Sequence, residues 1–284
     1  MYSLIVENKY KQQMELTHNE AYVIESIEGL DPPEAVINTT RNANADGTVY
    51  NSSYVKERQI IITLAINAPV EENRIQLYRY FKSKYPVKLY YKNSSRNVFI
   101  EGYCKKPLIE FFNKKEIAQI TILCPNPFFS GNKQEVTDFS SVNPLFEFPF
   151  SIEEPPGEIE FGEILLDQEK VIINNGDVET GAVFYLKSRG AVTNPGIYNA
   201  ETNEYFKLNI SMQLGDEIYI NTMSKQKTVQ LTRNGVTTNI IGNLAGGSSW
   251  LIFTPGDNIF MVSAESGPEN LDCYCVLTDQ FEGV

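Results

Sequence analysis

Apolar residues in this chain fall into short runs rich in Val, Ile, Tyr and Phe, separated by Gly, Pro, Asn and Asp. That pattern predicts strands joined by turns. The segment from Gly29 to Asn67 carries it most plainly. Leu30-Asp31-Pro32-Pro33 closes one element, because proline lacks a donor and holds its predecessor out of helical geometry. Asp46-Gly47 reads as a tight turn between two strand-like runs. Arg58 to Ile66 is apolar at most positions and β-branched, which predicts a strand covered on both faces. One helix is predicted from Glu71 to Tyr85, where Ile75, Tyr78, Phe81 and Tyr85 recur at threes and fours. Glu71 and Glu72 suit its positive end, Lys82 and Lys84 its negative end, and Pro86 stops it. Val87–Tyr91 and Val98–Tyr103 then flank Asn93-Ser94-Ser95-Arg96 as a hairpin. A further strand, Glu116–Leu123, ends at the two prolines of Cys124-Pro125-Asn126-Pro127.

From about Ser130 to Glu160 the chain is acidic, rich in Pro and Phe, and without period. It reads as a linker or excursion that packs through Phe146, Phe148 and Phe150. Short strands then resume around Ile172, Phe184, Phe206, Ile218, Val229, Leu251, Phe260 and Cys273–Leu277, with turns at Asn175-Gly176-Asp177, Gly215-Asp216, Asn234-Gly235 and Gly256-Asp257. Eight strands without a helical pattern between them predict a β-sandwich of jelly-roll type. The fold class is therefore mainly β, with modules over 1–135 and 161–284 joined by 136–160.

Charge sharpens this division. Residues 1–135 hold 17 Lys and Arg against 15 Asp and Glu, whereas residues 136–284 hold 7 against 21. The net charge of −12 argues against a surface for nucleic acid. There is neither a run of roughly 18 apolar residues nor a basic and apolar leader, so neither a membrane span nor export is expected. The reading is a protein made and folded in a cytosol.

Candidate chemistry is sparse. A single histidine, His18, excludes most metal sites and most nucleophile–histidine pairs. No catalytic residue, metal ligand or cofactor motif is assigned. Cys273 and Cys275 alternate onto one strand face and read, with Cys104 and Cys124, as buried core thiols. Asn42 to Gly47 resembles half of a calcium loop, but Ser53 stands where the closing glutamate belongs, so it reads as a turn. Paired carboxylates of a glycosidase have no sequence signal. Trp250, the only tryptophan, alternates with Ile252 in an apolar strand and reads as core before it reads as a sugar-stacking platform.

Ile27–Ala35, Asp46-Gly47, Arg58–Ile62, Asn73–Tyr78 and Cys124–Phe129 in the first half, with Ile173–Asp177, Leu214–Ile220 and Trp250–Asn258 in the second, together resemble the distal tail proteins of long-tailed phages of Gram-positive bacteria, the siphovirus-type tail components. The resemblance spans nearly the whole chain. It implies an N-terminal β-sandwich with one helix and an extended hairpin, and a C-terminal sandwich like a galectin or carbohydrate-binding module. It also implies a homohexameric ring at the virion tail tip that joins the tail tube protein to a tail-associated lysin or fibre protein and carries receptor-binding proteins. Cell-wall glycan is a further implied partner, with Trp250 as its candidate contact. The Tyr-rich hairpin Leu89–Tyr103, through Tyr90, Tyr91, Phe99 and Tyr103, is the candidate subunit interface. Adsorption to cell-wall glycan is the alternative function.

Overall fold

The computed structural model describes residues 2–43, 46–110, 116–143, 163–166 and 169–284. The chain divides into two compact units, Met1–Asn132 with Gln280–Val284, and Lys133–Asp279. Phe146, Phe148 and Phe150 lie outside the described residues.

Unit 1 contains β1 (Ser3–Asn8), β2 (Gln13–Glu15), β3 (Tyr22–Glu28), β4 (Ala35–Thr40), β5 (Val49–Val55), β6 (Arg58–Ile66), α1 (Val70–Tyr80), β7 (Pro86–Lys92), β8 (Asn97–Cys104), β9 (Leu108–Ile109), β10 (Glu116–Cys124) and β11 (Phe129–Gly131). Its main sheet runs β2-β1-β7-β8-β10-β6-β3, all neighbours antiparallel, with β9 added to β10 and β11 to β8. The strand Gln280–Phe281 pairs with β11, so the last five residues belong to this unit although their sequence continues the second module. Alternate residues of β1, β6, β7, β8 and β10 enter one hydrophobic cluster, with Leu77 of α1 and the adjacent Phe81. Strands from both ends of the sheet share that cluster, so the sheet curls around a single core.

The helix is shorter than expected and turns a different face inward. It ends at Tyr80, and Phe81 leaves helical geometry (φ −105°, ψ 52°) while its ring enters the core. Leu77 and Asn73 are the buried helical residues, whereas Ile75 and Tyr78 are exposed. Of the recurring residues, Ile75 and Tyr78 therefore lie on the solvent side, while Phe81 reaches the core from just beyond the helix and Tyr85 is half-buried outside it. Tyr22, from β3, fixes the helix instead, its hydroxyl donating to the Asn73 carbonyl at 2.8 Å. β6 also departs from expectation. Its alternate residues Ile60, Ile62 and Leu64 are fully buried, whereas on the other face Ile61 and Thr63 are half-buried and only Ala65 is fully buried, so the strand is sealed along one face and partly covered on the other.

Unit 2 adds β12 (Glu135–Asp138), β13 (Ser140–Asn143), β14 (Glu163–Leu166), β15 (Lys170–Asn174), β16 (Ala182–Ser188), β17 (Val192–Asn199), β18 (Tyr205–Lys207), β19 (Ser211–Met212), β20 (Glu217–Asn221), β21 (Thr228–Arg233), β22 (Val236–Asn239), β23 (Gly256–Ser266) and β24 (Leu271–Leu277). One sheet runs β12-β24-β16-β20-β21-β22 and the other β15-β23-β17-β18 with β19 beside β17. Both contribute to one core that includes Phe184, Leu186, Ile218, Phe206, Phe253 and Phe260, which makes the unit a β-sandwich. Two differences from the sequence reading stand out. The acidic segment taken as a linker from residue 136 begins in β12, which pairs with Tyr274–Leu277. The segment at Trp250 is not a strand, and the buried residues there are Leu251 and Phe253, the opposite phase from Trp250 and Ile252.

Candidate functional site

β4 and β5 pair only with each other and stand outside the main sheet of unit 1. Nearly every residue of both strands is exposed, including Ile37 (63%), Val49 (53%), Tyr50 (61%) and Tyr54 (56%). An isolated two-stranded hairpin is marginal in water, and exposed aromatic and β-branched side chains on it mark a surface made to be covered. The strands are joined by residues 41–48, with Gly47 at φ +86°, so Asp46-Gly47 lies in an eight-residue loop and not in a two-residue turn. The calcium-like run falls in this loop, and its Asn44 and Ala45 lie outside the described residues.

The base of the hairpin is fixed by Arg58, the first residue of β6. Arg58 is buried, and its guanidinium donates from Nε to the Pro127 carbonyl at 2.5 Å and from Nη1 to the Gly29 and Asp31 carbonyls at 2.6 and 2.5 Å. Nη2 donates to the Glu282 carbonyl, and the guanidinium lies 4.7 Å from the Phe129 ring centroid. Four carbonyls from three separate stretches of chain thus converge on one planar donor fork, which only arginine supplies. Burial lowers the Arg58 pKa, and the neighbouring Cys124, Asp31 and Glu282 oppose that shift. Gly29 is needed because it adopts φ +84° and a Cβ would meet the Gln59 carbonyl oxygen at 2.1 Å.

The hairpin named from sequence as an interface sits differently. β7 is paired on both sides, by β1 and β8, and β8 is paired by β7, β10 and β11, so the expected open edges are occupied. Tyr90 and Phe99 are half-buried partners with ring centroids 6.0 Å apart, and the Lys88 ammonium lies 3.4 Å over Phe99. The Tyr90 hydroxyl donates to Glu7 at 3.1 Å. Tyr91 is half-buried against the core, and only Tyr103 is largely exposed, at 51%. Period-two apolar alternation reported this hairpin correctly but not its neighbours, because pairing partners are distant in sequence.

Trp250 is half-buried against the core of unit 2. Its ring centroid lies 5.3 Å from that of Phe206, and the Lys227 ammonium is 5.2 Å from it. His18 is on the surface, its Nδ1 2.7 Å from Glu15. All four cysteines are buried thiols, and burial pushes Cys104 up to about 11 and Cys124 up to about 12. Among the described residues no group of three or more His, Cys, Asp or Glu converges as a metal site would require.

The motif asparagines of unit 2 organise loops. Asn258 is buried, accepts from the Thr254 backbone at 2.9 Å, and donates to the Thr254 and Gly256 carbonyls at 2.8 and 2.9 Å. Asn174 does the same for the next turn, donating to the Val178 and Phe253 carbonyls and accepting from Gly176. Asp216, also buried, receives Arg233 at 2.9 and 3.0 Å from Nε and at 2.5 Å from Nη2, together with the Gln213 backbone at 2.8 Å.

Unit 1 is thus a curled sheet bearing a separate hairpin, and unit 2 is a β-sandwich. Residues 10–124 match the phage tail protein RIFT-related domain. Residues 175–273 match the siphovirus-type tail component, C-terminal domain. The chain belongs to the siphovirus-type distal tail protein family. Its fold is similar to the crystal structure of the SPP1 Dit protein (gp 19.1), described as a paradigm of the hub adsorption apparatus in phages infecting Gram-positive bacteria, with a TM-score of 0.69 and 11% identity over 99% of both chains. The phage P2 baseplate in its activated conformation is similar too: its calcium form gives 0.53 at 12% identity over 100% of both chains. Its strontium form gives 0.50 at 12% identity over 98% of both chains. At such identities the likeness is one of fold. No curated protein sequence matches the chain.

Proposed function

We propose that this protein is the structural hub of a phage tail tip, assembling as a homohexameric ring that joins the tail tube to the tail-associated lysin or fibre protein and to the receptor-binding apparatus. Its role in the virion is architectural, without catalysis. Unit 1 forms the ring and unit 2 decorates it. The observation that carries this reading is the isolated hairpin β4–β5, whose exposed Ile37, Val49, Tyr50 and Tyr54 gain a partner when a second copy covers them. The whole-chain likeness in fold to the SPP1 hub protein supports it. The reading as a glycan adsorption protein draws no comparable support, since Trp250 is engaged with Phe206 and Lys227.

The test is the mass of the full chain in solution, alone and with the tail-associated protein, by mass photometry and negative-stain microscopy. Six-fold rings are expected. Replacing Tyr50 and Tyr54 by serine should leave both cores folded and shift the population to monomer. Monomers under both conditions, or rings unaffected by the double change, would overturn the proposal.

A further inference from the structure

We propose that the groove between the C-terminal end of α1 and β9 binds an extended acidic peptide segment carrying large apolar side chains. The inference goes beyond the hub reading and stands whether or not the chain forms a ring. The groove has a volume of about 470 Å³ and lies wholly within unit 1. Phe81 and Ile109 line it, and Tyr78 (40% exposed) and Leu108 (54% exposed) flank it with apolar surface left in water. Large exposed apolar side chains meeting in one concavity are the ordinary sign of a docking site.

Three observations choose the occupant. The first is the strand edge. β9 pairs with β10 and, among the described residues, with no strand on its other side. The Glu110 backbone donates to Ile117, and alternation along an antiparallel ladder then turns the backbone groups of the preceding residue, Ile109, away from β10. An extended segment laid in the groove completes those hydrogen bonds by strand addition. Pro107, just before β9, is of the kind that edge strands tolerate.

The second observation is charge. Lys82 and Lys106 line the groove, both exposed, and none of the residues lining it is acidic. Over residues 78–85 and 104–110, which hold that lining, the chain carries five Lys and Arg and one acid, Glu110. A segment rich in Glu or Asp is therefore steered toward this end of unit 1, and a basic one is repelled.

The third is the combination of the two. A phosphate polymer would satisfy the lysines and leave Tyr78 and Leu108 in water, whereas alternating acidic and apolar side chains on a strand meet both. Side chains of an extended segment point to opposite faces, so one set faces the apolar wall while the other reaches the lysines on the rim.

The test uses the full chain and a fluorescein-labelled peptide of sequence Glu-Phe-Glu-Leu-Glu, read by anisotropy. Saturable binding is expected that weakens with salt. The double variant Lys82→Glu, Lys106→Glu should weaken it by about tenfold or more, and Leu108→Ser should weaken it at unchanged salt dependence. All three positions are exposed, so far-UV circular dichroism and the unfolding midpoint should match the parent. A Lys-Phe-Lys-Leu-Lys peptide should not bind. Absence of saturable binding, or equal binding by the charge-reversed variant, overturns the proposal. Equal binding of a Glu-Ser-Glu-Ser-Glu peptide or of polyphosphate also overturns it, leaving a general polyanion surface.

Discussion

Replacing Arg58 by methionine keeps the length and apolar stem of the side chain and removes every donor. The carbonyls of Gly29, Asp31, Pro127 and Glu282 then lose their shared partner. A hydrogen bond to a charged group contributes about 1.5–3 kcal/mol, so four taken independently would suggest roughly 6–12 kcal/mol. That sum is too large, because burying the guanidinium itself costs several kcal/mol that the variant recovers. The balance expected is a loss of about 3–5 kcal/mol, a large part of the roughly 5–15 kcal/mol that holds a domain together. Arg58→Lys should cost less, since the cation remains, but a single ammonium cannot span the fork or lie flat against Phe129. Hydrogen exchange provides the assay. The amides of β6 and the strand Gln280–Phe281 should lose protection by the factor that corresponds to this free energy, and protection in β16 and β24 should hold. Trp250, the only tryptophan, lies in unit 2 and gives an independent fluorescence reading of that unit. Wild-type protection of β6 in Arg58→Met would refute the argument that this side chain anchors the hairpin base.

Three further outcomes follow from the same geometry. Hydrogen bonding from Arg233 holds the Asp216 carboxyl below its ordinary value, with burial opposing and the Gln213 backbone assisting, so its contribution to stability is full above the ordinary carboxylate range and is lost as pH falls through the depressed folded value. Asp216→Asn should therefore unfold at lower urea near neutrality and lose less stability on acidification than the parent; parallel pH profiles would contradict this. Asn258→Leu removes an amide that satisfies the Thr254–Gly256 loop and should cost unit 2 about 1–3 kcal/mol, read as a shift in the Trp250 fluorescence midpoint. The buried thiols, with Cys104 and Cys124 pushed up to about 11 and 12, should resist iodoacetamide at pH 8 until the chain unfolds, and rapid labelling of the native protein would show that they are accessible.

Much of the architecture was legible because strands write themselves locally. The alternation in Cys273–Leu277 and the runs in Arg58–Ile66 and Glu116–Leu123 became β24, β6 and β10. What failed were inferences about which side is inside. Helix periodicity picked Phe81, which is in the core, together with Ile75 and Tyr78, which are exposed while Leu77 is buried. In the apolar run Trp250 packs half-buried against the core and Ile252 is exposed, while Leu251 is fully buried. In both places apolar residues occupy both faces, so period alone cannot choose between them. The β7–β8 hairpin was read from its sequence, but its burial between β1 and β10 depends on pairings remote in the chain. The return of Gln280–Phe281 to unit 1 had no local signal for the same reason.

The motifs that identify the family do a different job from the surfaces that assembly requires. Gly29 and Arg58 fix the chain on either side of β4 and β5, and Asn174, Asp216 and Asn258 satisfy loop backbone in unit 2. Each answers a demand that few other side chains meet: a positive φ, a four-carbonyl fork, or the backbone groups of a buried turn. Such demands persist whatever the protein touches. The exposed residues of β4 and β5 answer no such demand within the chain, and Ile37, Tyr50 and Tyr54 carry none of the motif. Within the chain Gly29 and Arg58 are the frame that presents the hairpin, and in the proposed ring the hairpin's own side chains select the copy that covers it. Exchanging Ala35–Val55 for the hairpin of a relative should accordingly change which copies co-assemble while leaving the unfolding of unit 1 nearly unaltered; a graft that destabilised unit 1 as strongly as Arg58→Met would show that frame and contact surface are not separable.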